Sequence, residues 1–280
     1  MRDEGFAFVP FLIWMSNFTK SYGPRELITS HPHVPMTQGF SGVEVYHISE
    51  LSAYLKVGET GKVSNLARER DVLRWLDGKF PVPRVIGYEY YGPSEVLLIS
   101  EISGEPGSDH ISAPSATEET IIAFARSAAT ALRRMHELPV ENCSIDMRLD
   151  ARFARSRKSI ELELLSETIS EFAAEHGGMT PSDVYKDLVA RRPDSEDLVF
   201  THGDPCMPNI IVQNGEIAGV IDLDGAGVAD RYVDIAIFFR SFHRNSRIPI
   251  DLENVFLDGY GIDSLDPWKM EYYTTLDDLF

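Results

Sequence analysis

The stretch Thr201–Val212, "THGDPCMPNIIV", decides how this chain is read. It sets a His-Gly-Asp turn (His202, Gly203, Asp204) ahead of an Asn five positions after the Asp, Asn209, and then an apolar run. That order suits a site handling a metal and a hydroxyl group, and equally a polar loop before a buried strand, so the rest of the chain must choose. Downstream, "NIIV" and "GVIDL" flank Asn214-Gly215, a dipeptide suited to the two left-handed positions of a tight hairpin turn. Such a hairpin puts Asn209 at its mouth and Asp222 at the end of its return strand, so Asp204, Asn209 and Asp222 share one end. Phosphoryl transfer needs a carboxylate to orient or deprotonate the acceptor hydroxyl. It also needs a carboxylate and an amide oxygen to hold magnesium against nucleotide phosphates.

Composition narrows the choice. With 280 residues, 43% hydrophobic and 25% charged, the chain is an ordinary globular sequence of one large domain or two lobes. A net charge of −18 at pH 7 opposes binding to nucleic acid, because a phosphate backbone needs clustered Lys and Arg, and it would draw in a cationic ligand. Cys143 and Cys206 lie far apart, with no Cys-x-x-Cys pair, so neither a disulfide framework nor a zinc site is indicated and the reducing cytoplasm is the expected location. The apolar run 5–15 is too short to span a bilayer and lacks the basic start and cleavage site of a secretory signal. It is expected to pack on the surface or to precede a natural start at Met15, with no membrane partner.

Periodicity gives the organisation. Between Val34 and Ile102, "VEVYHI", "AYLKV" and "EVLLISEI" carry strand composition, and "LARERDVLRWLDG" has helical spacing. Beyond Ile102, "TEETIIAFARSAATALRRMHEL" aligns Ile121, Phe124, Ala128, Leu132 and Met135 on one helical face, and "RYVDIAIFFRSF" is helical too. The expected fold is α+β and two-lobed: a small antiparallel sheet with one helix over 1–102, then a mainly helical 103–280 presenting the polar loops and the hairpin. Phe238, Phe239 and Trp75 follow helical spacing and are expected in the core.

With these residues in view, the chain resembles the aminoglycoside phosphotransferase family, bacterial antibiotic kinases with a protein-kinase-like fold, and within it the 3'-phosphotransferases. The likeness rests on the signature H-G-D-x-x-x-x-N followed by an Ile-Asp strand end. It rests also on a phosphate loop at "TQGFSGVEVY", a strand lysine in "AYLKV", a helix glutamate in "RERDVLRWL", a linker strand "VLLISEISG", the segments "LDGKFPVPRV" and "GVADRYVDIA", and the end "LDDLF". The resemblance implies ATP, or GTP, with Mg2+ as cofactors and transfer of the γ-phosphoryl group to an aminoglycoside, the 3'-hydroxyl of a kanamycin- or neomycin-like drug, giving resistance. By position, Asp204 would be the catalytic base and Asn209 and Asp222 would bind magnesium. Lys56, fixed by Glu69, would reach the α- and β-phosphates, and Gly39, Ser41 and Gly42 would close over them. Tyr54 would stack on adenine while the backbone of Ser100 and Ile102 bonds its edge. Glu171, Glu175, Asp230, Asp278 and the terminal carboxylate of Phe280 would receive the drug's ammonium groups, with Arg240 nearby. His202 and Asp234 would anchor the catalytic loop, and the chain would act as a monomer or weak homodimer.

Two departures stand out. Where the 3'-enzymes read Ile-Asp-x-Gly-Arg-x-Gly, this chain reads "IDLDGAG": Asp224 replaces a Gly and Gly225 an Arg. A fixed positive charge beside the phosphates is lost, and a carboxylate able to favour a second magnesium is gained. In "SEFAAEHGG", Ala173 and Ala174 stand where carboxylates are usual. Both changes keep open a metabolite alcohol such as choline or homoserine as the acceptor. A metal hydrolase built on His202, Asp204, Asp222 and Asp224 would leave Lys56, Glu69 and the glycine loop unexplained, and a non-catalytic nucleotide-binding protein would not need the full set.

Overall fold

The computed structural model describes residues 32–36, 43–60, 65–91, 93–165 and 169–280. They fall into two compact units: the described residues of Met1–Asp77 with Val82–Ile102, and Gly78–Pro81 with Ser103–Phe280.

In the first unit, strands β1 (Val34–Met36), β2 (Glu44–Ile48), β3 (Ala53–Glu59), β4 (Val85–Tyr91) and β5 (Ser94–Ser100) form an antiparallel sheet in the order β1-β2-β3-β5-β4. Ile48, Ala53, Leu55, Ile86, Val96 and Leu98 make the core on one face. The two-residue period of a strand sends Leu55 into that core and its neighbour Lys56 to the opposite side. Helix α1 (Leu66–Leu76) packs against β3, β4 and β5. Its first turn is capped by Asn65, whose side chain accepts from the Arg68 N–H at 2.8 Å, and Leu66, Glu69, Val72, Leu73 and Leu76 form its buried face. Trp75 is only partly buried.

The second unit holds a three-stranded sheet, β6 (Glu105–Pro106), β8 (Ile210–Gln213) and β9 (Glu216–Val220), and the pair β7 (Leu198–Thr201) with β10 (Gly227–Asp230). Residues Gly78–Pro81 belong here because the Pro81 carbonyl accepts from the Val220 N–H at 3.1 Å. Among the described residues the helices are α2 (Gly107–Ser112), α3 (Glu118–His136), α4 (Leu149–Glu161), α5 (Ile169–Glu175), α6 (Pro181–Ala190), α7 (Tyr232–Asn245), α8 (Leu252–Tyr260) and α9 (Pro267–Asp277). Helix α3 opens on a capping box between Thr117 and Thr120 and buries the whole expected face, Ile121 to Met135, with α8 against it. Phe238 of α7 is fully buried and its ring packs 5.3 Å from that of Phe256 on α8. Between β8 and β9, Asn214 (φ +54°) and Gly215 (φ +81°) are both left-handed, the backbone that a two-residue hairpin of matching twist demands. No described helix is long and apolar enough to cross a membrane.

Candidate active site

The first unit carries a buried ion pair. Lys56 Nζ lies 2.7 Å from Glu69 Oε1, with side chains 11% and 2% exposed, so a lysine that would otherwise swing freely is held at one point. Two positions before Lys56 on β3, one face of the Tyr54 ring is covered by the His47 ring, with centroids 4.7 Å apart. Ser100 ends β5. Its N–H donates to the Arg84 carbonyl at 2.9 Å and its hydroxyl accepts from the Arg84 N–H at 2.9 Å, so both are spent inside the sheet, and a backbone contribution to a nucleotide would come through its carbonyl. Ile102 ends this unit, partly buried. Gly39, Ser41 and Gly42 lie outside the described residues.

In the second unit the segment after β7 is pinned from below. Asp234, on the first turn of α7 and fully buried, accepts from the His202 N–H at 2.7 Å and from the Gly203 N–H at 2.8 Å. Burial alone would raise its pKa. The hydrogen bond to His136 Nε2 at 2.9 Å, with His136 and His202 close by, outweighs burial and holds the carboxyl below the usual range. His136 is fixed in turn by Tyr260, 2.6 Å from its Nδ1. His202 is itself fully buried, and its Nδ1 accepts from the Asp204 N–H at 3.3 Å, an anchoring position. Farther along, the Met207 N–H donates to Ser241 Oγ at 2.8 Å, so the segment is tied to α7 twice.

This anchoring presents Asp204 and Asn209 to each other. The Asn209 amide nitrogen donates to the Asp204 carbonyl at 3.0 Å and to its carboxylate at 3.2 Å, which turns the amide oxygen away from Asp204. The Ile221 N–H donates to the Asn209 carbonyl at 3.0 Å, continuing the β8–β9 ladder to the residue before Asp222. Asp222, two residues beyond the end of β9, sits at φ +62°, a left-handed conformation uncommon for a residue other than Gly. Burial, with the negative charge of Asp222, raises the Asp204 carboxyl above the usual range; His202, Cys206 and Arg240 offset part of this. Two carboxylates that repel each other beside an amide oxygen form a hard oxygen donor set, and the residues present therefore fit Mg2+. Burial beside Asp204 pushes the Cys206 thiol up, so it is protonated and a poor nucleophile.

The acceptor candidates separate. Glu171 and Glu175 are exposed on α5, with Ala173 and Ala174 between them. Asp278 accepts from Arg240 Nη1 at 2.6 Å and lies 3.2 Å from His176 Nε2, while Arg240 Nη2 also bonds Asp277. Arg240 thereby holds the end of α9, and Phe280 just beyond it stays exposed. Asp230 is different from the expectation. It is fully buried and bonds Lys269 Nζ at 2.6 Å and the N–H groups of Asp197 and Tyr232, so it has no surface on which an ammonium group could dock. Sequence reading also passed over the His136–Tyr260 support and Arg155, whose guanidinium bonds Asp224 at 2.7 Å. Neither carries a local pattern; both partners arrive from distant helices.

The sequence comparisons place the chain among phosphotransferases. The "Phosphotransferase enzyme family" matches residues 35–269. The chain is 34% identical to an aminoglycoside 3'-phosphotransferase of Niallia circulans over 95% of its own length and 100% of that protein's. It is 31% identical to a streptomycin 3''-kinase of Streptomyces griseus over 87% and 90% of the two chains. Among solved structures it is similar to aminoglycoside phosphotransferase APH(3'')-Id of Streptomyces rimosus in complex with ADP and streptomycin, at 26% identity, TM-score 0.75, and coverage of 96% and 97%. The chain belongs to the aminoglycoside phosphotransferase family.

Proposed function

We propose that the protein transfers the γ-phosphoryl group of ATP, with magnesium, to a hydroxyl of an aminoglycoside, the 3'-hydroxyl of a kanamycin- or neomycin-like drug. The observation that carries this reading is the Asp204–Asn209 hydrogen bond next to Asp222, in a chain alignable along the whole of a 3'-phosphotransferase relative. Asp204 accepts the hydrogen bond of the acceptor hydroxyl, aligns its lone pair for in-line attack and takes the proton as the new O–P bond forms and the bond between the γ-phosphorus and the β–γ bridging oxygen breaks, releasing ADP. Asn209 and Asp222 would hold Mg2+, which would supply positive charge to offset that of the nucleotide phosphates. Lys56, fixed by Glu69, supports the α- and β-phosphates, with the backbone of Gly39, Ser41 and Gly42 over them and Tyr54 against the base. We assign nucleotide holding to residues 1–102 and catalysis with acceptor binding to 103–280. Glu171, Glu175, Asp278 and the Phe280 carboxylate receive ammonium groups. A phosphate adds negative charge to a drug that must bind ribosomal RNA, which makes resistance, exercised in the cytoplasm, the biological role.

A second acceptor has its own support. Ala173 and Ala174 remove two carboxylates from α5, and a streptomycin 3''-kinase is among the relatives. That combination favours a drug held by fewer ammonium contacts, with phosphorylation at a 3''-hydroxyl.

The test is ADP release in the presence of Mg2+ and ATP with kanamycin, a tobramycin-like drug lacking the 3'-hydroxyl, streptomycin, choline and homoserine. Turnover of kanamycin but not of the 3'-deoxy drug supports the 3'-reading. Turnover of streptomycin alone moves the acceptor to the 3''-position, and turnover only of choline or homoserine overturns the aminoglycoside reading.

A further inference from the structure

A guanidinium from a helix distant in sequence reaches the loop that follows β9. On α4, one face buries Leu149, Arg152, Phe153, Ser156 and Ser159, and Arg155 leans from the edge of that face. Its Nη2 donates to the Asp224 carboxylate at 2.7 Å and its Nη1 to the Asp224 carbonyl at 2.9 Å. The pair is largely shielded, with side chains 21% and 17% exposed. The ring of the C-terminal Phe280 lies over both Arg155 (5.9 Å) and Arg152 (5.6 Å), which limits where the Arg155 head can go. On the other side of Asp224, Leu223 is fully buried and its carbonyl accepts from the Ala226 N–H at 3.1 Å. Asp222, one residue before Leu223, is in a left-handed conformation that persists only where its surroundings impose it.

We infer that Arg155 is a positioning residue for Asp222: by gripping both the side chain and the backbone of Asp224 it fixes the loop that follows Asp222 and offsets the Asp224 charge. The inference rests on the reading of Asn209 and Asp222 as magnesium ligands. The two-pronged grip has a second effect. A carboxylate bonded to a guanidinium is a weaker competitor for a cation, so Asp224 adds less negative charge to the site than its sequence position suggests. Lysine cannot reproduce the grip, because one ammonium group lacks the planar fork that spans a carboxylate and a carbonyl together.

The experiment is calorimetric titration of ADP into the full-length protein at a series of Mg2+ concentrations, for wild type, Arg155→Ala, Arg155→Lys, Asp224→Ala and Arg155→Ala/Asp224→Ala. Loss of a charge-assisted contact predicts that Arg155→Ala needs about tenfold more Mg2+ for half-maximal binding, and Arg155→Lys about threefold more. Asp224→Ala shifts the requirement in the same direction, and the double variant resembles Arg155→Ala rather than the product of the two, because the residues act as one unit. Should Arg155→Ala fail to fold, Arg155→Lys and Asp224→Ala carry the test. A Mg2+ requirement unchanged in the folded variants overturns the inference alone. Wild-type ADP binding that ignores Mg2+ overturns the magnesium-site reading and the inference with it.

Discussion

Gly203 and Gly225 pass so close that a Cβ placed on Gly203 would overlap the Gly225 carbonyl, nearer than real Cβ atoms come to any neighbour. Gly203 also sits at φ +88°, so two independent penalties bar a side chain there. Left-handed backbone plus overpacking predicts that Gly203→Ala costs about 3 kcal/mol and disturbs Asp204, the next residue. The relationship is not symmetric. A Cβ on Gly225 would meet Gly203 at 3.4 Å, ordinary contact, so Gly225→Ala is expected to lose less than about 1 kcal/mol. Urea unfolding of both variants checks the contrast, and equal losses would show that the close approach is not the cause.

Asp204 is held in a state that favours its function over stability. Its carboxyl pKa is raised, by burial and then by Asp222. For a raised pKa, the stabilising contribution is full below the unfolded-state value and lost as pH rises through the folded value, so ionised Asp204 destabilises the metal-free protein at pH 7. Asp204→Asn should therefore raise the metal-free Tm at pH 7 while turnover falls by about a hundredfold or more and ADP binding persists. The wild-type rate should show an acid limb above the ordinary Asp range. A variant that turns over normally would remove Asp204 from the role of base.

The Lys56–Glu69 pair offers a double-variant test. Each charge is buried, so breaking the pair by removing one residue should cost about 3–5 kcal/mol. Lys56→Met with Glu69→Leu should cost less than either single change, because no unpaired charge is left behind. Additive losses in chemical unfolding would mean that the pair is not the main support of either residue. In activity, Glu69→Gln is expected to raise the KM for ATP more than that for the drug, since it loosens Lys56 only.

Asp234 gives a prediction in pH. Its depressed pKa, won against burial by His136 and the His202 main chain, contributes stability that is present above the unfolded-state value and lost as pH falls through the folded value. Asp234→Asn should be about 3 kcal/mol less stable at pH 7, and the gap to wild type should narrow below about pH 4. Unfolding curves at the two pH values decide it; a constant gap would assign the loss to shape rather than charge.

Much of the site was legible because its chemistry is local in sequence. Asp204 and Asn209 lie on one short loop, Asp222 follows a hairpin announced by Asn214-Gly215, and strand alternation alone separates Lys56 from Leu55. Asp230 misled for the same reason: a carboxylate next to the site in sequence reads as available, whereas Lys269, thirty-nine positions away, closes it off in a buried pair.

The sequence by itself determined the segments with clear strand or helix periods, the hairpin and the residues proposed to run phosphoryl transfer, because helix and strand periods, turn conformations and the spacing of reactive groups act over a few residues. Tertiary structure decided which charges meet: His136 with Asp234, Arg155 with Asp224, Arg240 with Asp277 and Asp278, Lys269 with Asp230. Each pair joins separate elements, and a buried or half-buried charge takes whichever partner the packing of the apolar faces brings near. That choice leaves no period or motif in the chain.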